Sequence, residues 1–327
     1  MSRMVNRPSA CNADQSVGHP SPSPRLSADA TRTLAPIAVR MATLLVITIP
    51  LLGVAVIPWF LWQRGFHGTD LGLLIAMYLL SGLGITVGFH RLLVHRSFET
   101  YDWVKVIFVA LGSMAVQGPM LKWVAMHRRH HQWSDTSEDP HSPQHAGSGA
   151  LGVLRGFWHA HIGWFFEADP GDLDHYVKDL TSSRALRWAS ALFPLWVALG
   201  LAIPAVLGGL ITQSWLGALT GFLWGGLFRV FLVHHSTWSI NSACHLWGLS
   251  PYRCNDQSRN NVLFGLLSLG EGWHNNHHAF PTSARHGLRW WQLDASYWVI
   301  RALAAIGLAW NLKQPTREAQ WQARRAA

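Results

Sequence analysis

The chain has 327 residues, of which 49% are hydrophobic and only 13% are charged. A soluble domain usually has about a quarter of its residues charged, so this composition argues against a soluble protein and indicates a membrane protein. The net charge of +9 includes 26 Lys and Arg residues scattered between apolar runs. That scatter argues against a nucleic-acid surface, which gathers its basic residues along one stripe. Three cysteines without a C-x-x-C pair predict no disulfide framework.

Residues 1–35 are rich in Ser, Pro, Ala and Arg and lack an apolar period, which predicts a disordered cytoplasmic tail in preference to a targeting peptide. We expect a single membrane domain over residues 36–313 and a flexible basic tail over 314–327. Apolar runs long enough to cross a bilayer core of about 30 Å lie at 41–62, 71–89, 188–210 and 211–233.

Two further apolar segments are predicted to lie at the membrane surface. The segment 106–121 contains Gly118-Pro119 and is expected to be interfacial or re-entrant, and 288–310 is expected to be an amphipathic helix. Arg64 is the only basic residue in the turns between paired spans, so both termini and the long polar regions are expected in the cytoplasm. The predicted fold is an all-α integral membrane protein with four transmembrane helices in two hairpins, a cytoplasmic histidine-rich helical cap and interfacial amphipathic helices.

Histidine clusters adjoin the predicted cytoplasmic ends of the spans. In the two H-x-x-H-H clusters, the imidazoles at i, i+3 and i+4 share one helix face. In the H-x-x-x-x-H cluster, positions i and i+5 lie about 140° apart on a straight helix. Either the helix ends between them or each faces a different ion. The clusters are His90 and His95; His127, His130 and His131; and His274, His277 and His278, with His245 as a further histidine.

Eight or nine imidazoles exceed what one ion can hold, which predicts two metal ions. Ligand spacing alone does not choose between Zn, Cu, Fe and Ni. The pairs Glu138/His141 and Glu271/His274 offer the Glu-x-x-His pattern of soluble di-iron bundles, but Pro140 interrupts the first pair and no further glutamate pair is present. Glu271 is instead expected to accept a hydrogen bond from a ligating imidazole.

The remaining histidines are not expected to bind metal. His141, next to a proline, is expected at most to support a ligand. Those that lie close to the clusters in sequence but are not expected to be ligands are His159, His161, His234 and His235. Those expected on the surface are His19, His67, His145, His175 and His286.

The three histidine clusters, in this order around two membrane hairpins, resemble the membrane-bound fatty acid desaturases. The likeness is greatest to the acyl-CoA (stearoyl-CoA type) Δ9 desaturases, in a bacterial-like form without a fused cytochrome b5, and it covers residues 40–312. The matching strings are GITVGFHRL at 84–92, HRRHHQWSDT at 127–136, EDPHS at 138–142, NSACHLWG at 241–248 and GEGWHN at 270–275.

The resemblance implies an O₂-dependent enzyme that uses two iron ions to introduce a cis double bond into a saturated acyl chain. It implies that Asn241 holds an iron-bound water. We also place Tyr78 at the far end of the acyl tunnel as a hypothesis. The implied iron ligands are His90, His95, His127, His130, His131, His245, His274, His277 and His278. The implied tunnel residues are Gln117, Trp123, Thr237 and Trp238.

The implied substrate is a long-chain acyl-CoA or another acyl carrier, and the implied location is the bacterial inner membrane with the active site in the cytoplasm. Without a fused cytochrome b5, electrons must come from a separate ferredoxin, flavin reductase or cytochrome b5. Basic residues that could meet a phosphate-bearing head group, or that simply follow the positive-inside rule, are Lys122, Arg155, Lys178, Arg184, Arg187 and Arg253. Alternatives are a histidine-box hydroxylase or ketolase, a phospholipid-acyl desaturase, and a non-enzymatic metal-binding or electron-transfer protein.

Overall fold

The computed structural model describes residues 33–169, 171 and 173–324, so the predicted tail over 1–35 lies almost wholly outside the described residues. The described residues are helical and contain isolated β-bridges but no strand. The α-helices are α1 Ile37–Arg64, α2 Gly68–Leu83, α3 Asp102–Ser113, α4 Met120–Trp133, α5 Gly149–His161, α6 Lys178–Thr181, α7 Arg184–Ala191, α8 Phe193–Thr212, α9 Trp215–Gly221, α10 Arg229–Asn241, α11 Val262–Leu267, α12 His274–Ala279, α13 Ala295–Ala305 and α14 Arg317–Ala323. Two π-helical segments, Gly84–Val94 and Phe222–Phe228, continue α2 and join α9 to α10; short 3₁₀ turns are Gly163–Phe166, Asp174–Val177 and Ala243–His245.

Among the described residues, four helices are long and apolar enough to cross a membrane, as the sequence predicted. They are Ile37–Gln63, Gly68–Val94, Phe193–Thr212 and Trp215–His245. The polar helices between the second and third spans, and those after the fourth, supply most of the histidines. Two hairpins of spans therefore alternate with two polar regions along the chain, which confirms the predicted fold class.

The boundary between the third and fourth spans differs from the prediction. The third span ends at Thr212, because Gln213 adopts a left-handed conformation (φ 50°) that terminates α8. Ser214 then caps α9 by accepting a hydrogen bond from the backbone N–H of Leu216 at 3.1 Å. The fourth span begins at Trp215 and continues to His245, whereas the sequence predicted a span over 211–233.

Three predicted segments are shorter or more ordered than expected. The interfacial segment 106–121 divides into α3 and α4, separated by a turn in which Gly118 has a φ of 96°. Within 288–310 only Ala295–Ala305 is α-helical, and Asp294 caps its start by accepting from the N–H of Tyr297 at 3.0 Å. The tail predicted to be flexible contains α14, whose Ala323 is buried against Tyr252.

Close helix contacts hold the spans together. A side chain at Gly84 would lie 2.1 Å from the backbone nitrogen of Gly112, so α3 crosses the end of α2 with backbone nearly touching backbone. Arg229 is fully buried in the fourth span and donates to the carbonyls of Gly200 (2.7 Å), Gly225 (3.1 Å) and Met114. This guanidinium ties α10 to α8 and to the turn after α3.

Candidate metal centre and acyl cavity

The nine histidines predicted as ligands gather into two groups, within each of which the ligand nitrogens all lie within 4.8 Å of one another. Sequence spacing did not reveal which histidines belong together. The five-histidine group comprises His90, His95, His127, His131 and His277. The four-histidine group comprises His130, His245, His274 and His278.

A π-helix explains how His90 and His95 reach the same group. The segment Gly84–Val94 is wound with i to i+5 hydrogen bonds, and the N–H of His95 still donates to the carbonyl of His90 at 3.1 Å. Residues five apart therefore lie almost above one another. Of the two alternatives for His90 and His95, the first is confirmed, because the helix ends at Val94, between them. The second is wrong, because both histidines belong to the five-histidine group.

Each H-x-x-H-H cluster contributes to both groups. On α4, His127 and His131 belong to the five-histidine group, whereas His130 points into the four-histidine group. On α12 the pattern is reversed, with His277 in the former group and the other two histidines in the latter. Two helices thus place both groups side by side.

The distances between ring nitrogens fit metal coordination. Two imidazoles at right angles on one ion, each about 2.1 Å from it, have nitrogens about 3.0 Å apart. Facing Nε2 atoms lie 3.1 Å apart in His90/His277 and His127/His131, and 3.0 Å apart in His131/His277 and His245/His274. The Nε2 atom of His95 has no hydrogen-bond partner within the described part of the chain, as a ligand atom would.

The protonation state of the predicted ligand histidines also fits metal coordination. Burial, followed by repulsion from neighbouring imidazoles, holds the pKa of His131 and of His277 well below the usual range. The same causes act on His95, His127 and His274. Neutral imidazoles keep a lone pair for a metal ion, so these side chains are ready to act as ligands.

Glu271 lies where the sequence predicted a hydrogen-bond acceptor. Its Oε2 atom accepts from Nδ1 of His90 at 2.5 Å, and its Oε1 atom pairs with the buried guanidinium of Arg91 at 3.0 Å. Arg91 also pairs with Asp294 at 2.9 Å. Although burial alone would raise the pKa of Glu271, its contacts with His90, His286 and Arg91 hold this pKa well below its usual range.

Three aspartates play the same part in the four-histidine group, and the sequence analysis missed all of them. Two of them follow the second cluster by four and eight residues, a spacing that could have drawn attention to them. Each accepts from the outer nitrogen of a predicted ligand, which fixes the ring and makes it a better donor to metal. The pairs are Asp139/His130 at 3.0 Å, Asp135/His245 at 2.8 Å and Asp256/His278 at 2.6 Å.

The expectation that His286 lies on the surface is wrong. Its side chain is fully buried, with Nδ1 3.3 Å from Oε2 of Glu271 and 3.2 Å from Arg91, and its ring lies against that of His277. Burial and then the charge of Arg91 lower its pKa to about 4. Glu271 connects it to His90, a contact between distant residues that spacing does not reveal.

The other histidines lie outside the two groups. His141 is buried, with Nδ1 3.7 Å from Asp139, and burial followed by the adjacent His130 lowers its pKa to about 3. His67 and His145 are exposed and His175 is partly exposed, while His19 falls outside the described residues. The four expected non-ligands belong to neither group: His159, His161, His234 and His235.

A cavity of about 580 Å³ leads to both groups, and its lining includes His90, His127 and His274. A volume of this size suits one elongated ligand. Every residue predicted to contact the acyl chain lines it, and so does Asn241. These residues are Tyr78, Gln117, Trp123, Thr237 and Trp238.

Hydrogen bonds fix these cavity walls. The Tyr78 hydroxyl donates to the carbonyl of Leu267 at 2.5 Å and lies 2.9 Å from the hydroxyl of Ser236, so it joins α2, α10 and α11 across the cavity. Elsewhere, Gln117 donates to Thr237 at 3.0 Å and accepts from the indole of Trp123 at 3.3 Å. These polar side chains of the walls are thus paired with one another or with the backbone.

The arginines predicted to meet the head group, Arg155, Arg187 and Arg253, do not line the cavity. Arg187 donates to the carbonyl of Thr181, and Arg253 donates to that of Arg324 at 3.0 Å. Among the described lining residues, the Lys and Arg side chains are Lys122, paired with Asp169 at 2.9 Å, and Arg129, paired with Glu138 at 3.0 Å.

Four spans, two adjoining histidine groups that could hold metal and a cavity that reaches both groups define the class: a helical membrane protein with a candidate metal centre. Comparison with known families gives the particular family. The family model described as "Fatty acid desaturase" matches residues 68–312, and the chain belongs to this family. It is therefore an oxidoreductase of lipid metabolism, as the resemblance implied.

The relatives differ in the substrates that their names state. A hex-5-enoyl-[acyl-carrier protein] acetylenase of Moorena producens is 44% identical over 270 residues, 82% of this chain and 84% of the relative. An sn-1 stearoyl-lipid 9-desaturase of Synechocystis is 40% identical over 258 residues, 78% of this chain and 75% of the relative. An icosanoyl-CoA 5-desaturase of Limnanthes douglasii is 43% identical over 245 residues, 73% of this chain and 63% of the relative. Family membership therefore leaves the carrier and the position of the double bond open.

Proposed function

We propose that the protein is an O₂-dependent acyl desaturase that introduces a cis double bond, at the Δ9 position, into a saturated fatty acyl chain. The observation that carries this proposal is the cavity whose lining includes histidines of both groups, because it would bring an acyl chain directly to the metal centre. An acyl chain has no polar handle near its middle. Regioselectivity must therefore come from how far the chain extends along fixed walls.

The nine histidines are proposed to hold two iron ions, with Asn241 supporting a water at the four-histidine group. When bound, the iron ions supply the oxidising chemistry that removes hydrogen from two adjacent methylenes. The chain's own residues position the ligands and the substrate. Glu271 and the three aspartates orient imidazoles, and the apolar walls keep water from the reacting carbons.

For the carrier, we propose an acyl-CoA whose head group lies near Lys122 and Arg129, the two basic side chains on the cavity. Both are paired with acidic residues, so an incoming phosphate would have to displace a carboxylate. The rival carriers, a membrane lipid and an acyl carrier protein, are those that the names of relatives state. The electron donor is proposed to be a separate protein, and the site is proposed to face the cytoplasm of a bacterial inner membrane.

A second candidate reaction is the oxidation of an existing alkene to an alkyne. It is favoured by the Moorena relative, an acetylenase that is 44% identical to this chain. Histidine-box hydroxylation or ketolation is the remaining alternative. These reactions use the same oxidising centre but leave different products.

Expression in a desaturase-deficient host, followed by fatty acid analysis, separates the candidates. The proposal requires a cis Δ9 monoene that is absent when His278→Ala protein is inserted into the membrane at the same level. A hydroxylated or acetylenic product would replace the proposed reaction with one of the alternatives. Comparing the CoA, lipid and carrier-protein pools shortly after labelling identifies the carrier in which the new double bond first appears.

A further inference from the structure

The two histidine groups approach the molecular surface at the same place. His131 of the five-histidine group is partly exposed, and its ring stacks on that of His278 from the four-histidine group, with centroids 4.6 Å apart. The outer nitrogen of His278 donates to Asp256 at 2.6 Å, and Asp256 is only partly buried. One ligand of each group therefore lies no more than one side chain away from solvent on a shared face.

Basic residues flank this face. Three residues before Asp256, the exposed Arg253 donates from its backbone to the carbonyl of Ala323 at 2.8 Å and from its side chain to that of Arg324 at 3.0 Å. These bonds bring α14 beside the 252–256 segment. We call the exposed side chains that result the basic rim. Its members are Arg253, Arg317, Trp321 and Arg324.

The rim has the composition of a docking surface. It contains three arginines, whereas Glu318 is the one acidic residue of α14. Trp321 is 73% exposed, so its indole is available to contact another molecule. Arginine and tryptophan are the residues that most often dominate binding energy at protein interfaces. The net positive charge selects a partner with an acidic surface.

We propose that the basic rim is where the electron donor docks, and that this donor is a small protein with an acidic surface and a one-electron redox group near it. The inference rests on the proposed function, because desaturation consumes two electrons that have to reach the metal centre from a donor. The balance is –CH₂–CH₂– + O₂ + 2 e⁻ + 2 H⁺ giving –CH=CH– + 2 H₂O. A donor seated on the rim would lie beside Asp256 and the stacked rings of His278 and His131.

Two other partners fit the rim less well. Arg253 was expected to meet the head group of the acyl carrier, but it does not line the acyl cavity. Anionic lipid would satisfy the arginines and Trp321, but a lipid gains nothing from lying beside ligands of both groups. The route from the rim to His278 therefore favours a redox partner.

The test uses the full-length protein in nanodiscs, saturated with acyl substrate, with a reduced two-iron ferredoxin as the donor probe. In the Arg253→Glu/Arg324→Glu variant, the ferredoxin concentration for half-maximal rate should rise about tenfold at low ionic strength, because steering is lost. The KM for the acyl substrate should stay unchanged, and so should turnover driven by photoreduced deazaflavin. Arg301→Glu, at an exposed position on α13, is the matched control and should behave as wild type.

A conservative variant separates charge from structure. Arg253→Lys/Arg324→Lys keeps the charge but loses the guanidinium bond to the carbonyl of residue 324, and it should remain within about twofold of wild type. An equal defect in the lysine and glutamate variants would overturn the proposal, because the loss would then be structural.

Two other results would assign the basic rim a different function and would also overturn the proposal. If the glutamate variant raised the KM for the acyl substrate and left the ferredoxin dependence unchanged, Arg253 would have the head-group role that the sequence predicted. Weaker binding to vesicles of phosphatidylcholine with phosphatidylglycerol, again with unchanged ferredoxin dependence, would make the rim a lipid surface. If wild type forms no product with any reductant, the proposed function fails, and ferredoxin binding measured by calorimetry still decides the role of the rim.

Discussion

The five-histidine and four-histidine groups differ in the number of their imidazoles and in the carboxylates that accept hydrogen bonds from them. The five-histidine group has one more imidazole, but Glu271 is its only carboxylate partner among the hydrogen bonds described above, and Arg91 offsets that charge. The four-histidine group is fully buried and has three aspartates on its outer nitrogens. Charge close to a buried cation is worth far more than charge in water. The comparison teaches that the two proposed metal positions are unequal, one favoured by the number of imidazoles and the other by nearby negative charge.

Removing a ligand from either group should have the largest effect. For His131→Ala and His278→Ala we expect undetectable product and the loss of one of two metal ions, because each variant leaves its group incomplete. Metal content by mass spectrometry and fatty acid analysis of the host measure the two effects. His67→Ala, at an exposed position between the first two spans, is the control and should retain metal and activity.

The carboxylates should matter unequally. Removing an outer partner commonly lowers metal affinity about 10- to 100-fold. Glu271→Gln should lie at the upper end of that range, because Glu271 is the carboxylate partner described above for the five-histidine group and Arg91 would keep only Asp294 of the two anionic partners described for it. Asp256→Asn should lie at the lower end, because two aspartates remain. Metal release to a chelator, followed over time, measures both; a larger effect of Asp256→Asn would contradict the comparison.

Tyr78 should control chain length without affecting either metal. We expect Tyr78→Ala to change the preference between chains that differ by two methylenes by about tenfold, because the wall that joins α2 to Leu267 is removed. Product chain lengths from a mixed acyl pool measure this. Tyr78→Phe keeps the ring and should preserve the preference; unchanged selectivity in Tyr78→Ala would exclude the tyrosine from the cavity end.

The smallest effect is expected at Arg155, an exposed residue outside the cavity. Arg155→Gln should change the free energy of acyl binding by no more than about 0.5 kcal/mol, because surface substitutions rarely do more. Lys122→Gln should raise the KM measurably more. KM values for the acyl substrate test this, and a dominant effect of Arg155 would restore the head-group role that the sequence predicted for it.

The sequence predicted the features that depend on a single segment of the chain. Apolar length identifies four spans, and the i, i+3, i+4 spacing identifies the histidine clusters, because both are properties of one segment. The division into two groups depends on the π-helical turn at His90 and on how α4 crosses α12, neither of which leaves a periodic signal. The same holds for Asp256 and for His286, whose partners lie 22 and 15 residues away.

The structure departs from the sequence-based expectations in segments whose surroundings decide their structure. The C-terminal residues are polar and basic, which predicts a flexible tail, but Ala323 packs on Tyr252 and orders α14. The arginines expected at the head group were chosen by charge alone. Charge does not indicate which side of the helical cap a side chain occupies.

Mössbauer spectroscopy of the protein, produced in iron-57 medium and kept in nanodiscs, tests the central claim most directly. Two histidine groups with different ligand numbers and different carboxylate support should give two distinct high-spin iron signals of equal area, with no haem. His278→Ala should remove one of these signals and His131→Ala the other. A single iron environment, or one signal lost in both variants, would contradict the claim that the two groups are separate and unequal metal sites.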